Sequence, residues 1–100
     1  MSRMQRDKGK RGELELCKFL DEHGHPAERS QQYRGNVDAP DILCESVPFA
    51  IESKRCERLS VYAALEQAEA DTDGPVLVCH RRNGKHWLAI LRLDDLLGLL

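Results

Sequence analysis

Val76-Leu77-Val78-Cys79-His80 is an apolar run with no polar alternation, preceded by Asp73-Gly74-Pro75 and followed by Arg81-Arg82-Asn83-Gly84. Such a run suits a strand covered on both faces, and a strand so placed needs helices or other elements on either side of its sheet. The rest of the chain supplies them. From Lys8 to His23, Leu14, Cys17 and Leu20, with Leu16 and Phe19 alongside, recur at helical spacing; Gly24 follows as a C-cap and Pro26 prevents continuation. Ser60 to Asp71 is again helical, with Ser60 as N-cap and Val61, Leu65 and Ala68 on one face. Residues 27–33 are polar and extended, an edge strand. Asp41–Glu45 and Phe49–Lys54 read as short strands joined through Ser46-Val47-Pro48 into a hairpin. Asn83-Gly84 predicts a second hairpin, returning over His86–Arg92. Residues 93–100 close as a short helix with Asp94 in its first turn. The order αβββαββα predicts an α/β sheet domain of two or three layers.

A chain of 100 residues fits one domain, and 41% hydrophobic residues are enough for its core. Residues 1–7 read as a flexible basic arm. No apolar run approaches the ~18 residues of a membrane span, and no signal-peptide core follows Met1, so the expectation is a soluble protein of the cytoplasm. Cys17, Cys44, Cys56 and Cys79 form no C-x-x-C pair, which speaks against a zinc-thiolate site and for buried or half-buried free thiols. The net charge of −2 shows no basic surplus, but the charge is unevenly placed. Arg3, Arg6, Lys8, Lys10, Arg11 and Lys18 crowd the stretch from Arg3 to Lys18 against Asp7, Glu13 and Glu15, Lys54, Arg55 and Arg58 form a second basic group and Arg81, Arg82 and Lys85 a third. The acids Glu66, Glu69, Asp71 and Asp73 gather elsewhere. Phosphate contact is local over about one Debye length, ~8–10 Å, so this asymmetry counts for more than the sum.

Glu52 and Lys54 are two apart on an expected strand and share a face. Asp41 opens the preceding strand, and antiparallel pairing across the Ser46-Val47-Pro48 turn would bring it near Glu52. Two carboxylates held close repel unless a cation lies between them, and oxygen ligands suit Mg²⁺ or Mn²⁺. A cation, two carboxylates and a lysine together suit in-line attack on a phosphodiester. On spacing alone, an ordinary solvated strand face with a surface ion pair worth under ~1 kcal/mol is the favoured reading, since acid-x-lysine recurs by chance.

Pro40-Asp41 followed by Glu52-Ser53-Lys54 resembles the signature of the PD-(D/E)xK nuclease superfamily, and within it the archaeal-type Holliday junction resolvase branch (Hjc-like), a group also represented among viruses. Lys8-Gly9-Lys10-Arg11-Gly12-Glu13 resembles that branch's opening Lys-Gly segment, with its helix glutamate at Glu13. Leu65-Glu66-Gln67-Ala68-Glu69 resembles the segment after the catalytic strand, with its supporting glutamine at Gln67. The likeness covers roughly residues 8–93. It implies a restriction-endonuclease-like αβββαβ core, a central mixed sheet flanked by helices. It also implies an Mg²⁺- or Mn²⁺-dependent homodimeric endonuclease making paired nicks in four-way junctions. Carried over, Asp41 and Glu52 would bind the metal, helped by the Ser53 backbone carbonyl. Glu13 would reach it through water, Lys54 would act on the attacking water, and Gln67 would orient Lys54 or the site. Arg6, Lys8, Lys10 and Arg11 would contact the DNA backbone, as would Arg34 and Arg55 flanking the site. Ser30 and Arg34-Gly35-Asn36 stand where the branch carries a longer Ser- and Gly-rich loop, so junction recognition is less well matched than the chemistry.

Other residues have more than one reading. His23 and His25 bracket a helix end, where a cation is ordinary. His80 and His86 would face each other across the Asn83-Gly84 turn, a conceivable metal pair. Trp87 suits core or interface packing, and Tyr33 either base stacking or edge packing. Leu96, Leu97, Leu99 and Leu100 either cap the core or join a twofold dimer interface. Beside the resolvase stand two alternatives: a repair or nicking nuclease of the same fold acting on other DNA structures, and a catalytically silent DNA-binding module.

Overall fold

A computed structural model describes the backbone of residues 3–30 and 40–100, and the side chains of 9–30 and 40–100. The helix α1 runs Arg3–Glu22, followed by the strands β1 (Glu28–Arg29), β2 (Ile42–Leu43) and β3 (Ala50–Arg55). Next come α2 (Val61–Ala70), β4 (Val76–Arg81), β5 (Leu88–Ile90) and α3 (Leu93–Leu97). The expected element order is therefore the observed one. The bounds differ at the N-terminus: α1 starts at Arg3 rather than Lys8, so its backbone takes in residues 3–7. No proline interrupts them, and a single Gly9 costs only about 1 kcal/mol within a helix. At the other end Gly24 takes φ 86°, and the His25 amide donates to the Leu20 carbonyl at 2.9 Å, closing the helix. His23 Nδ1 lies 2.8 Å from the Phe19 carbonyl oxygen, capping the last turn.

The five strands lie in the order β1-β2-β3-β4-β5; β3 and β4 are parallel, the other pairs antiparallel. Alternation along β3 and β4 sorts the core into two halves. Ile51 and Cys79 point to one face and pack with Leu16 and Cys17 of α1 and with Ile42. Val76 and Val78 point to the other and pack with Ala64 and Ala68 of α2, joined by Ala50 and Ile90. The sheet is thus sandwiched in three layers. Full burial of side chains such as Ile51 and Val78 contributes about 1.5–3 kcal/mol each.

Three local expectations are corrected. Ser60 occupies the N-cap position of α2 with extended backbone, but its side chain makes no capping bond. His80 faces Leu88 rather than His86, because the β4–β5 register is two residues wider than a His80–His86 pairing requires. The leucines of α3 and the C-terminus do not cap the core: none of α3 is buried, and Leu93, Leu97, Leu99 and Leu100 are all exposed. Trp87, by contrast, packs against the α1-side half of the core.

Candidate active site

The pairing Ile42↔Ile51 across the β2–β3 hairpin, continued by one residue, sets Asp41 opposite Glu52. Ile42 and Ile51 face α1, so Asp41, Glu52 and Lys54 face the α2 side. There α2 packs chiefly on β4, and Glu52 is half-buried. The Ser53 backbone N–H donates to Asp41 Oδ2 at 3.0 Å, and the Ser30 N–H donates to the Asp41 carbonyl oxygen at 2.9 Å. Both bonds fix Asp41 at the mouth of β2.

The two carboxyl groups lie close enough to share a hydrogen bond. Burial, then the bond to Asp41 and the repulsion from it, push the Glu52 carboxyl up to about 8, while the Lys54 ammonium pulls it back down. Asp71, just past α2, adds further repulsion. Gln67 lies one helical turn before Asp71, on the same stripe of α2, and is exposed. Ionised Glu52 is thus costly in the protein without a cation. Its contribution to stability is present below the ordinary value of 4.5 and is lost as pH rises through about 8. The Glu13 carboxyl is raised too, first by burial and then by Asp41, although its bond to Arg29 lowers it.

These carboxylates fit a divalent ion. Among the described residues no three His, Cys, Asp or Glu side chains gather into a ready metal cage. Mg²⁺, however, is usually held by one or two carboxylates, with waters and substrate phosphate completing its shell. The half-buried Asp41–Glu52 pair offers a donor set of that kind.

The remaining sequence candidates are spread around it. Glu13 sits on α1 near Asp41 but is held by Arg29 Nε at 2.8 Å. Arg55 points to the α1 face, away from Glu52. Its Nε donates to Glu15 Oε1 at 3.2 Å, and Arg81 joins the same carboxylate. Its expected flanking of the site is therefore not what the structure shows. Lys10 and Arg11 are exposed on α1, and Ser30 is half-buried next to β1. The side chains of Arg6 and Lys8, and Tyr33 and Arg34 with their loop, lie outside the described residues. Sequence reading missed Arg29, Glu15 and Asp71; only their charge marked them, since their partners are remote in the chain. It also missed Gly12, where an added Cβ would stand 2.6 Å from Arg55 Cβ, so that the bare glycine lets α1 close on β3.

A family model of the archaeal Holliday junction resolvase (Hjc) matches residues 4–95. No curated protein matches the chain. Among solved structures it is similar to Archaeoglobus fulgidus Hjc, a Holliday junction resolvase from an archaeal hyperthermophile. The TM-score is 0.58 at 22% identity, covering 84% of this chain and 72% of that one.

Proposed function

Because the chain belongs to the archaeal Holliday junction resolvase family, we propose that Asp41, Glu52 and Lys54 are the cleavage centre with which it cuts four-way DNA junctions. The observation that carries this reading is the half-buried Asp41–Glu52 pair with Lys54 on the same strand face. The family implies a divalent metal requirement, and the all-oxygen donor set favours Mg²⁺, with Mn²⁺ able to replace it. When bound, the ion supplies positive charge against the negative charge that develops on the phosphate. Asp41 and Glu52 would hold it, with the Ser53 carbonyl as a third oxygen, and the Ser53 amide keeps Asp41 aimed. Lys54 positions the attacking water and stabilises charge on the phosphate oxygens. Gln67, one helical turn before Asp71, would orient Lys54 or the site. Glu13 on α1, paired with Arg29, would reach the metal through water. Lys10 and Arg11 extend the basic surface of α1 toward the duplex, with Arg6, Lys8, Ser30 and Arg34 serving the same purpose.

A second copy of the chain completes the reading. Leu88, Leu93, Leu97, Leu99 and Leu100 are exposed on β5, α3 and the C-terminus. Covering them across a twofold axis would set two centres against strands of like polarity. Among the described residues no helix is long and apolar enough to cross a membrane, and we place the protein with the DNA in the cytoplasm, or in that of a host if its source is viral.

The test is cleavage of synthetic four-way junctions against linear duplex in Mg²⁺, Mn²⁺ or EDTA. Junction cutting in both metals, none in EDTA and little on duplex is expected. Equal cutting of both substrates would replace the resolvase with a repair or nicking nuclease, and tight junction binding without cleavage would leave only a binding module.

A further inference from the structure

The face of the sheet that carries Glu52 and Lys54 continues past the C-terminal ends of β3 and β4 into a groove of about 610 Å³. Arg58 lines it from the connection between β3 and α2, and Arg82, Lys85 and His86 from the connection between β4 and β5. His80 forms part of its wall and is the registered neighbour of Lys54 on the adjacent strand. Adjacent strands lie about 4.8 Å apart, so the groove begins one strand away from the lysine of the cleavage centre.

The groove is built rather than improvised. His80 Nε2 lies 2.9 Å from the Cys56 carbonyl oxygen, tying β4 to the chain leaving β3. The Asn83 amide donates to Glu57 Oε2 at 2.7 Å, Arg81 Nε donates to the Lys85 carbonyl at 2.5 Å, and Gly84 adopts φ 70° to make the turn. These bonds hold the backbone that presents Arg82 and Lys85. Glu57 is the acid in the lining, and it is turned to the Asn83 amide. Arg29, Arg55, Arg81 and Arg92 are each ion-paired, whereas Arg58, Arg82 and Lys85 have no ion pair among the described residues. Unpaired cations gathered on a tethered rim are poised for an anion with repeated charges.

We propose that this groove is a phosphodiester subsite, holding the DNA backbone within about two nucleotides of the phosphate being cut. The inference rests on the reading of Asp41, Glu52 and Lys54 as the cleavage centre. No Phe, Tyr or Trp lines the groove on which a base could stack, so its contacts position the strand and do not read its sequence.

The test measures binding of a four-way junction and of a linear duplex in EDTA across a salt series, for the unaltered protein and for Arg82→Gln/Lys85→Gln. Each lost phosphate contact lowers the slope of log affinity against log salt by about 0.9 and weakens binding roughly tenfold near 0.1 M salt. The double variant should therefore bind both probes roughly 100-fold more weakly, with a slope lower by about 2, and Arg58→Gln should lose about half as much. If the double variant fails to fold, Lys85→Gln alone decides, with a slope lower by about 0.9. An unchanged slope and affinity in the folded variant overturns the subsite. Junction cleavage by the unaltered protein in Mg²⁺ is the separate readout of the cleavage centre. Cleavage with an unchanged variant slope removes the subsite alone; a lowered slope without cleavage supports the subsite and removes the cleavage reading.

Discussion

Glu52→Gln is expected to abolish junction cleavage, by about 10³-fold or more, while junction affinity in EDTA stays within about twofold. A metal ligand is worth several kcal/mol of charge stabilisation in the transition state, and each 1.4 kcal/mol is about a factor of ten in rate. The amide keeps the shape of the side chain and removes its charge. The same substitution removes the repulsion from Asp41, so the metal-free protein should melt no lower than the unaltered one at alkaline pH. An ordinary surface pair of Glu52 with Lys54 predicts the reverse pattern: full cleavage and a small loss of stability, under about 1 kcal/mol. Single-turnover cleavage, gel-shift binding and thermal melting of one variant separate the two.

Gly12→Ala is the second change with a large expected effect. Alanine is worth about 1 kcal/mol more than glycine inside a helix, so propensity alone predicts stabilisation. The contact predicts the opposite. The new methyl would meet Arg55 Cβ at 2.6 Å and Cγ at 3.2 Å, and the first of these atoms is fixed by the strand backbone. Optimal carbon–carbon separation is about 3.5–4.0 Å, so α1 must lift from β3 by about 1 Å. Overpacking of this kind costs about 1–3 kcal/mol. The displaced helix carries Glu13 away from Asp41 and strains the Glu15 links to Arg55 and Arg81. Cleavage should fall along with stability. Gly9→Ala is the matched control, because nothing lies within 4 Å of its added Cβ, and it should stabilise by up to about 1 kcal/mol in urea denaturation.

Much of this was legible from short-range patterns. The doubly covered strand at Val76, the hairpin before Glu52 and the two amphipathic helices follow from periodicity and turn residues. Strand alternation alone put Glu52 and Lys54 on one face. Bringing Asp41 across to Glu52 needed only the hairpin, whose register the apolar Ile42 and Ile51 fix by both having to face α1. The features that stayed hidden are long-range. Arg29 reaches Glu13 over 16 residues, Arg55 reaches Glu15 over 40 and Arg81 reaches it over 66. No local spacing encodes such pairs, and so Arg55 was expected at the DNA and is found beneath the sheet with Glu15. His80 and His86 were set opposite each other by the Asn83-Gly84 signal, which marks a turn but not the width of the hairpin. The C-terminal leucines show a further limit: their spacing reports an apolar stripe but not what covers it.

If Asp41 and Glu52 are held together for a divalent cation, thermal melting at about pH 6 and about pH 8.5, in EDTA and in excess Mg²⁺, will show it. In EDTA the unaltered protein should melt lower at the higher pH, as Glu52 ionises beside Asp41 through about 8. Mg²⁺ at about 100 times its dissociation constant stabilises by about 2.7 kcal/mol, and should raise melting at the higher pH by about 10 °C or more. Glu52→Gln should lose most of both effects. If Mg²⁺ leaves the unaltered protein unchanged at the higher pH, or raises Glu52→Gln by the same amount, the pair is not the metal site.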